Sequence, residues 1–486
     1  MQNRTGTADS NIKIINLILI PGLIGIALSL LFSNVGIMIA IVVIPLLLVL
    51  LIRIFREPST LFFSVFVLNY FIIAASRYMN LSGLSFLMDI LIAGTLVLIL
   101  IHTALLRNFE WKYTLNVLTI GTFIWMLYCL AEIYNPSGMV KAWVLSRSLA
   151  LYGFAVSLLA SLLFNRYRMI RIFIFMLAIF TLLAVIKALI QKHFGFDETE
   201  VAWLNKGSYK THLLSTGIRY FSFFTDAGNF GSNMGCAGVI FMICALYMKN
   251  KGLKIFYAAV SIAALYAMIL SGTRGSLIVP LVGLALFSVV IKSRKTLITG
   301  GIILLAIYVF FAHTDIGQDN SYIRRMRTAF TPTEDASFNV RKNNQAILAE
   351  HLKNKPFGEG LGLSGVENQN ISMRLTTTIP HDSWYVKIWV ETGAVGLILY
   401  LGILLTAIGR GARIIMFKIK NRELKGILAG LLCGISGMLA SAYGNAFWGQ
   451  FPTAIIAFTG LALVLKGEYF EKELELKYLQ ENNKNT

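Results

Sequence analysis

Charged residues are scarce in this sequence. Asp, Glu, Lys and Arg together make up 14% of the 486 residues, whereas ordinary soluble domains carry about 25%. Such a chain is neither a water-soluble enzyme nor a disordered chain, because disorder requires a polar composition. The four cysteines lie inside apolar runs and show no CxxC spacing, which excludes a disulfide scaffold and gives no support to a metal site.

Sequence signatures of several enzyme classes are also missing. The chain contains no HExxH, no repeated acidic cluster, no P-loop and no GxSxG. Metalloprotease, ATPase and hydrolase functions therefore lack support. We expect neither a metal ion nor a cofactor.

Long apolar runs are what the sequence has instead. Apolar residues make up 56% of the chain, and the mean hydropathy is +0.70. A membrane-spanning helix needs about 20 mostly apolar residues, and fourteen such runs can be counted. They are continuous rather than alternating, which argues against a β-barrel. They begin near Ile12, Gly36, Ser59, Leu84, Tyr113, Trp143, Arg168, Phe230, Lys254, Ser276, Thr296, Gly393, Gly426 and Phe451.

The basic residues orient these runs. The chain has 43 Lys and Arg against 24 Asp and Glu, a net charge of +19. In a soluble protein this excess would suggest a nucleic-acid partner, but most basic residues lie in short loops on one side of the runs, as the positive-inside rule requires. We predict an all-α polytopic membrane protein with about fourteen transmembrane helices, both termini cytoplasmic, membrane lipids around it and no nucleic-acid partner.

The pattern divides the chain into six segments. We expect an N-terminal bundle of about seven spans (1–190), a first long outside loop (191–229), transmembrane helices (230–312), a second long outside loop (313–392), C-terminal transmembrane helices (393–466) and a cytoplasmic tail with an amphipathic helix (467–486). Both long loops carry aromatic residues and glycines, so we expect them to be functional. The second loop should contain a helix from about Phe338 to Lys353.

Arginines in the predicted outside segments, the two long loops and one short turn, run against the positive-inside rule. The residues concerned are Arg219, Arg274 in a very short turn, Arg324, Arg325, Arg327, Arg341 and Arg374. A planar guanidinium binds phosphate bidentately and does not lose its charge, so the cluster suits a phosphate-bearing lipid head group. Alternatively, some of these arginines reach lipid phosphates or pair with Asp226, Glu334 or Glu359.

The sequence PHDSWY at 380–385 ends the second long loop. A His beside an Asp at a membrane surface can remove a proton from a sugar hydroxyl, because surroundings tune either side chain toward neutral pH. His381 and Asp382 are therefore candidates for a catalytic base. The alternative for a lone loop histidine is plain polar surface.

Ionisable residues inside the predicted spans are costly and usually face a cavity. Lys187 and Arg147 fall in the outer half or the middle of their predicted helices, where they would extend a phosphate site. A structural salt bridge between Glu132 and Arg147 is the alternative.

Four motifs in order along the chain resemble the O-antigen ligase/polymerase family of bacterial membrane glycosyltransferases. They are Arg219 followed by FTDAGN at 224–229, the LSGTRG turn at 270–275, Ser337 to Arg341 leading to PFGEGLG at 356–362, and His381 to Gly396. The first 190 residues match this family only in being hydrophobic and multi-span. The resemblance therefore covers the chain from about Arg219 to Gly396.

This resemblance implies a GT-C-like fold in the bacterial inner membrane, with the active face periplasmic. The implied donor is a glycan on undecaprenyl diphosphate. The implied acceptor is lipid A–core or a protein for a ligase, and another lipid-linked glycan for a polymerase. Both alternatives stay open.

The resemblance also implies residue roles. Arg219 and Arg274 would grip the diphosphate with support from Arg341, and His381 would activate or position the acceptor hydroxyl. The family usually has eleven residues from its His to the first Gly of the following GxxG, whereas here the step from His381 to Gly393 is twelve. An ungapped alignment thus places Asp382 at the family's His position. Candidate supporting residues are Lys187, Asp226, Lys387 and Glu391.

A polytopic transporter, such as a flippase for lipid-linked oligosaccharides, is the rival interpretation. Its marks would be internal repeats and helices broken at matching positions of two halves. No repeat is visible in the sequence, and the polar residues concentrate late in one large outside loop. Glycan transfer is therefore favoured.

Overall fold

The computed structural model describes residues 52–485, apart from 80–82, 107–108, 215–216, 329 and 331–335. The apolar runs predicted near Ile12 and Gly36 lie outside the described residues. The N-terminal helices are α1 (Pro58–Met79), α2 (Leu84–Leu106), α3 (Val117–Ala131), α4 (Val140–Leu145), α5 (Arg147–Leu163) and α6 (Tyr167–Phe194).

The first long loop folds into short elements. It contains α7 (Glu198–Trp203), a π-helical turn (Leu204–Ser208), α8 (Tyr209–His212) and an antiparallel pair of two-residue strands, β1 (Leu213–Leu214) and β2 (Gly217–Ile218). Next come α9 (Ala227–Tyr247), α10 (Lys251–Leu270), a 3₁₀ turn (Arg274–Leu277), α11 (Ile278–Val290) and α12 (Arg294–His313).

The second long loop carries α13 (Ser321–Arg327), α14 (Ala336–Leu352) and α15 (Leu375–Thr378). The chain ends with α16 (Trp384–Phe417), α17 (Arg422–Ser441), α18 (Thr453–Leu465) and α19 (Gly467–Asn485). Helix α14 confirms the helix expected over 338–353, and α19 confirms a helix in the tail. The side of the membrane on which the tail lies stays a prediction.

Asparagines start several of the long helices. The side chains of Asn116, Asn250 and Asn421 accept backbone N–H bonds of 3.0–3.1 Å from the first turns of α3, α10 and α17. This satisfies donors that a helix start otherwise leaves unpaired. The polar loop residue before each apolar run thus sets where the helix begins.

Twelve of the fourteen predicted apolar runs fall within the described residues, and each coincides with a helix. Eight helices there are long and apolar enough to cross a membrane, or nine if α18 and α19, bent by 55°, form one span. Shorter apolar helices occupy Arg147–Leu163, Arg274–Val290 and Leu297–His313. The chain is an all-α, multi-span membrane protein, while the count of fourteen and the orientation stay predictions.

The core lies around α9 and α17. These two helices are 83% and 89% buried within the protein, against 28–50% for the other candidate spans, so protein rather than lipid surrounds them. All four cysteines are buried and free, as predicted: Cys129, Cys236, Cys244 and Cys433. Small residues at such positions let helix backbones approach closely.

Helix α16 is broken at Gly393, where φ is 68°. A Cβ atom at this position would collide with the carbonyl group of Pro356, which instead accepts the Val395 N–H at 3.3 Å. Only glycine combines this left-handed conformation with so close an approach. Three residues later, a Cβ atom at Gly396 would lie 3.0 Å from the ring of Tyr128.

The break leaves two helix carbonyls without partners inside the helix, and backbone N–H groups of the second long loop donate to them. Glu359 N–H donates to Val390 O at 2.9 Å, and Gly360 N–H donates to Glu391 O at 3.0 Å. The segment PFGEGLG is thereby hydrogen-bonded into the helix break. This fixes the loop over the end of the bundle, where a cavity opens.

Candidate functional site

A cavity of about 1210 Å³ opens between the helix ends and the two long loops. Its lining residues fall within 145–153, 210–226, 272–281, 325–387 and 400–458. Six basic side chains line it: Lys210, Arg219, Arg274, Arg325, Arg341 and Lys387. The acidic lining residues are Asp226, Glu367 and Asp382, so the cavity favours an anionic ligand.

Arg219 follows the β1–β2 pair, which directs the chain back toward the cavity. Its Nη1 donates to Thr211 O at 2.9 Å, and its Nη2 donates to Thr273 Oγ1 at 2.8 Å. Burial lowers the pKa of Arg219, Asp226 counteracts this, and Arg274 and Arg341 lower it further. The three arginines are therefore close enough to repel one another, and an anion between them would relieve that repulsion.

Arg274 begins the 3₁₀ turn that leads into α11, and its Nη1 donates to Thr328 Oγ1 at 3.1 Å. The preceding turn is held from outside, because Arg325 Nε donates to Gly272 O at 2.6 Å. Gly272 has a φ of 57°. The LSGTRG motif is thus a tight turn that brings Arg274 to the cavity wall.

Arg341 reaches the same wall from α14. Its Nε is buried and has no hydrogen-bond partner among the described residues. A buried guanidinium N–H without a partner is costly unless a ligand accepts from it. We refer to Arg219, Arg274, Arg325 and Arg341 as the arginine wall.

His381 and Asp382 line the same cavity, just before α16. His381 is 8% exposed, and its Nδ1 has no partner in the described part of the chain. Burial lowers the pKa of His381, and the positive charge of Lys387 lowers it further, to about 4. The Glu367 carboxylate, 3.7 Å from Nε2, acts in the opposite direction and raises this pKa, but by less. The imidazole is therefore neutral at pH 7.

Asp382 adopts a φ of 50°, a left-handed conformation that aspartate tolerates better than most residues. Asp382 lies two residues after Pro380 and immediately before Ser383, the N-cap residue of α16. Asp382 and His381 both line the cavity. The structure therefore leaves both available as the base.

Lys387 links His381 to the interior of α16. Its Nζ lies 3.8 Å from Glu367 Oε1 and 3.6 Å from Glu391 Oε1. Glu391 is fully buried, accepts a 2.6 Å bond from Ser364 Oγ, and is not among the cavity-lining residues. Two supporting residues were predicted in α16. Lys387 lines the cavity, whereas Glu391 contacts Lys387 from outside the cavity lining.

Asp226 lines the cavity but is already engaged as the N-cap of α9. It accepts N–H bonds from Gly228 at 2.6 Å and Asn229 at 2.9 Å. His212 Nε2 accepts the N–H of Ala227 at 3.2 Å, and burial lowers the pKa of His212, so its ring is neutral. The FTDAGN motif therefore builds a helix start beside the arginine wall.

Five basic residues singled out from the sequence lie outside the cavity lining: Lys187, Arg147, Arg324, Arg327 and Arg374. Lys187 pairs with Asp197 and Glu200, each at 3.0 Å. The predicted pair of Glu132 with Arg147 is wrong: Arg147 Nε donates to Asp89 at 2.8 Å, while Glu132 accepts from Asn135. Arg374 pairs with Glu359 at 3.2 Å, the structural alternative considered from the sequence.

Glu359 gathers other cations as well. His351 Nε2 lies 2.6 Å from its carboxylate, and Lys355 pairs with the same oxygen. Burial raises the pKa of Glu359, but the hydrogen bonds from Lys355 and His351 outweigh burial and the pKa is lowered overall. We refer to Glu359, His351, Lys355 and Arg374 as the Glu359 cluster.

Some lining residues were not singled out from the sequence. They include Lys210 and the aromatic and amide side chains of the α17–α18 connection: Tyr443, Asn445, Trp448 and Gln450. This connection carries no charge, so the positive-inside argument gives no signal there. Its density of aromatic and amide residues beside an apolar run was the available hint.

Comparison with known families follows the same part of the chain. Residues 259–401 match the family model described as O-antigen ligase. This part of the chain is therefore similar to O-antigen ligases. This confirms the resemblance to the O-antigen ligase/polymerase family and supports a glycosyltransferase-like membrane enzyme of surface polysaccharide biosynthesis.

The matched region contains Arg274, Arg341, His381, Asp382 and Lys387, whereas Arg219 lies before it. A search of curated proteins gave no significant match to the chain. Within the described residues, no group of three His, Cys, Asp or Glu side chains is arranged to hold a metal ion.

Proposed function

We propose that this protein transfers a glycan from undecaprenyl diphosphate to an acceptor hydroxyl at the periplasmic face of the bacterial inner membrane. One observation carries this proposal: four arginines from separate segments and the His381–Asp382 pair line a single cavity. A diphosphate matches the arginine wall in charge and hydrogen-bonding geometry. His381 and Asp382 in the same cavity are groups that can take a proton.

The reaction forms a bond between the acceptor oxygen and the anomeric carbon while the bond from that carbon to the diphosphate oxygen breaks. Undecaprenyl diphosphate leaves with the electron pair, and the hydroxyl proton passes to His381 or Asp382. Direct attack inverts the anomeric configuration. The arginines stabilise the negative charge that grows on the leaving group, and alignment of the acceptor supplies much of the remaining rate.

This mechanism needs no metal ion, because guanidinium groups perform the charge neutralisation. We expect transfer by the purified protein to continue in excess chelator. Strict dependence on added divalent cation would contradict the proposal.

Two substitutions separate the candidate bases. We expect the loss of a general base to lower transfer about 10²–10⁴-fold, so His381→Ala and Asp382→Asn should differ strongly. A neutral His381 with a pKa near 4 predicts that transfer stays constant from pH 8 down to about pH 5. Wild-type rates in both variants would remove this pair from the chemistry.

A deletion strain tests the biological role. Its surface glycan is resolved by size, and its undecaprenyl-linked intermediates are analysed in parallel. Single repeat units on the acceptor with no ladder would identify a polymerase, and long chains accumulating on undecaprenyl diphosphate with a bare acceptor would identify a ligase. An unchanged profile in a strain without a second copy of the enzyme would contradict the proposed substrate.

A further inference from the structure

A second cavity, of about 830 Å³, lies between α3 and α16 and shares no lining residue with the first. We refer to it as the α3–α16 groove. Its long walls are apolar and include Ile120, Ile124, Ile398 and Ile403. Ile398 is 72% exposed, and a Cβ atom at Gly402 would meet no atom within 4 Å, so the groove opens outward along the bundle.

One end of the groove is basic. Lys112, Arg410 and Lys466 line it there, with Glu468 as the acidic residue. The charge distribution predicts the cytoplasmic side for Lys112, in the turn before α3, and for Arg410, two turns before the end of α16. The groove therefore joins an apolar channel at membrane depth to a positive end at the predicted membrane surface.

Lys466 makes the basic end unusual. It is 7% exposed, and its Nζ donates to Ser161 O at 2.6 Å. The rings of Tyr469 and Tyr113 lie 4.6 and 5.6 Å from Nζ. Within the described residues, no carboxylate forms an ion pair with it, so a buried positive charge lacks a counter-ion.

Two carboxylates that act on Lys466 electrostatically do not supply that counter-ion. Glu110 and Glu473 act on Lys466 only at longer range. Glu473 already accepts the N–H of Tyr167 at 2.6 Å and pairs with Lys477 at 3.3 Å. A buried cation without a partner is costly, which points to an anion supplied from outside the chain.

We propose that the α3–α16 groove binds an anionic phospholipid. The phosphate lies among Lys112, Arg410 and Lys466, and an acyl chain lies along the isoleucines past Gly402. Anionic lipid head groups are attracted to basic residues at the cytoplasmic membrane surface. This inference does not depend on the glycan-transfer proposal, since the two cavities are lined by different residues.

The chain's own N-terminal segment is the alternative occupant of the groove, and its charge does not match the basic end. Residues 1–51 contain Arg4, Lys13 and Asp9 as their charged side chains. That segment carries no net negative charge to offer Lys466. An anionic phospholipid supplies both the negative group and the apolar chain that the groove requires.

The test uses the full-length protein, transferred from nanodiscs of defined lipid into the gas phase for native mass spectrometry. One preparation contains phosphatidylcholine alone, and the other contains an equal mixture with phosphatidylglycerol. We expect retained phosphatidylglycerol on the wild-type protein. Each cation removed should lower its retention about fivefold, from about 1 kcal/mol for each basic residue near the surface.

Two matched pairs of variants locate the site. Arg410→Glu should lose the retained lipid, whereas Arg413→Glu, an exposed arginine one turn away that does not line the groove, should keep it. Gly402→Leu should block the channel, whereas Gly409→Leu on the same helix should not, although a Cβ atom at Gly409 also meets no atom within 4 Å.

The opposite results are equally distinct. Equal retention of phosphatidylcholine and phosphatidylglycerol, or equal loss in both members of a pair, would overturn the proposal. Stabilisation of the detergent-solubilised protein by inorganic phosphate alone would point to a free-anion site instead. A photo-cross-linker at Ile398 that captured residues 1–51 would show that the chain fills its own groove.

Discussion

The Glu359 cluster and the arginine wall use the same residue types in neighbouring loop segments but give them different partners. In the Glu359 cluster, two cations and a histidine converge on one carboxylate that is 3% exposed. In the arginine wall, Arg219 donates to carbonyl and hydroxyl oxygens, and Arg341 Nε has no partner in the described residues. The partner of a loop arginine, rather than its position in the sequence, distinguishes a structural role from a ligand site.

The strongest test changes the shape of one cation in each group. Arg274→Lys keeps the charge but loses the bidentate fork, so we expect transfer to fall about 10²–10³-fold with normal membrane insertion. Arg374→Lys should stay within about fivefold of wild type, because a partly exposed ion pair contributes about 1 kcal/mol or less. Transfer is measured on equal amounts of purified protein, and wild-type transfer by Arg274→Lys would exclude Arg274 from the site.

A second test removes the central charge of the Glu359 cluster. Glu359→Gln leaves Lys355 and Arg374 without their carboxylate, and we expect a loss of about 2 kcal/mol in the free energy of unfolding. This is less than the 3–5 kcal/mol of fully buried pairs, because both cations are partly exposed. Thermal unfolding in detergent measures it, with Glu367→Gln as the exposed control. Unchanged unfolding in Glu359→Gln would show that the cluster does not stabilise the loop.

The sequence predicted the helices and the loop arginines, but not which arginines line the cavity and which form structural ion pairs. Long apolar runs predicted the helices because a buried or lipid-facing helix needs little else. The LSGTRG turn and the PHD segment identified Arg274, His381 and Asp382, since few residues separate them from a helix start. Arg374 and Lys187 were also candidates, because their acidic partners come from other parts of the fold and spacing does not reveal them. Lys466 was not predicted as a binding residue, because the groups around it also come from distant parts of the chain.

The acid sensitivity of the Glu359 cluster gives a smaller effect. Since the pKa of Glu359 is lowered in the folded protein, its contribution to stability is present above the unfolded pKa, near 4.3. The contribution is lost as the pH falls through the folded pKa. The unfolding temperatures of wild type and Glu359→Gln should therefore converge between about pH 5 and pH 3. A constant difference across that range would contradict the assignment.

The smallest expected effect on transfer belongs to Lys187→Met. Lys187 pairs with Asp197 and Glu200 outside the cavity lining, so we expect reduced stability and unchanged transfer per folded molecule. The assay counts only protein that elutes as a single species in size-exclusion chromatography. If transfer by that fraction fell strongly, Lys187 would have to take part in donor binding.

The break at Gly393 has a consequence for biogenesis. The carbonyls of Val390 and Glu391 are completed by N–H groups of Glu359 and Gly360, which the ribosome makes about thirty residues earlier. Since a lipid environment offers no substitute donor, α16 reaches its final form only when that earlier segment stands beside it. Folding of the second long loop and completion of α16 are thus one assembly step, and this loop is not a module that can be moved to another membrane scaffold without its helix.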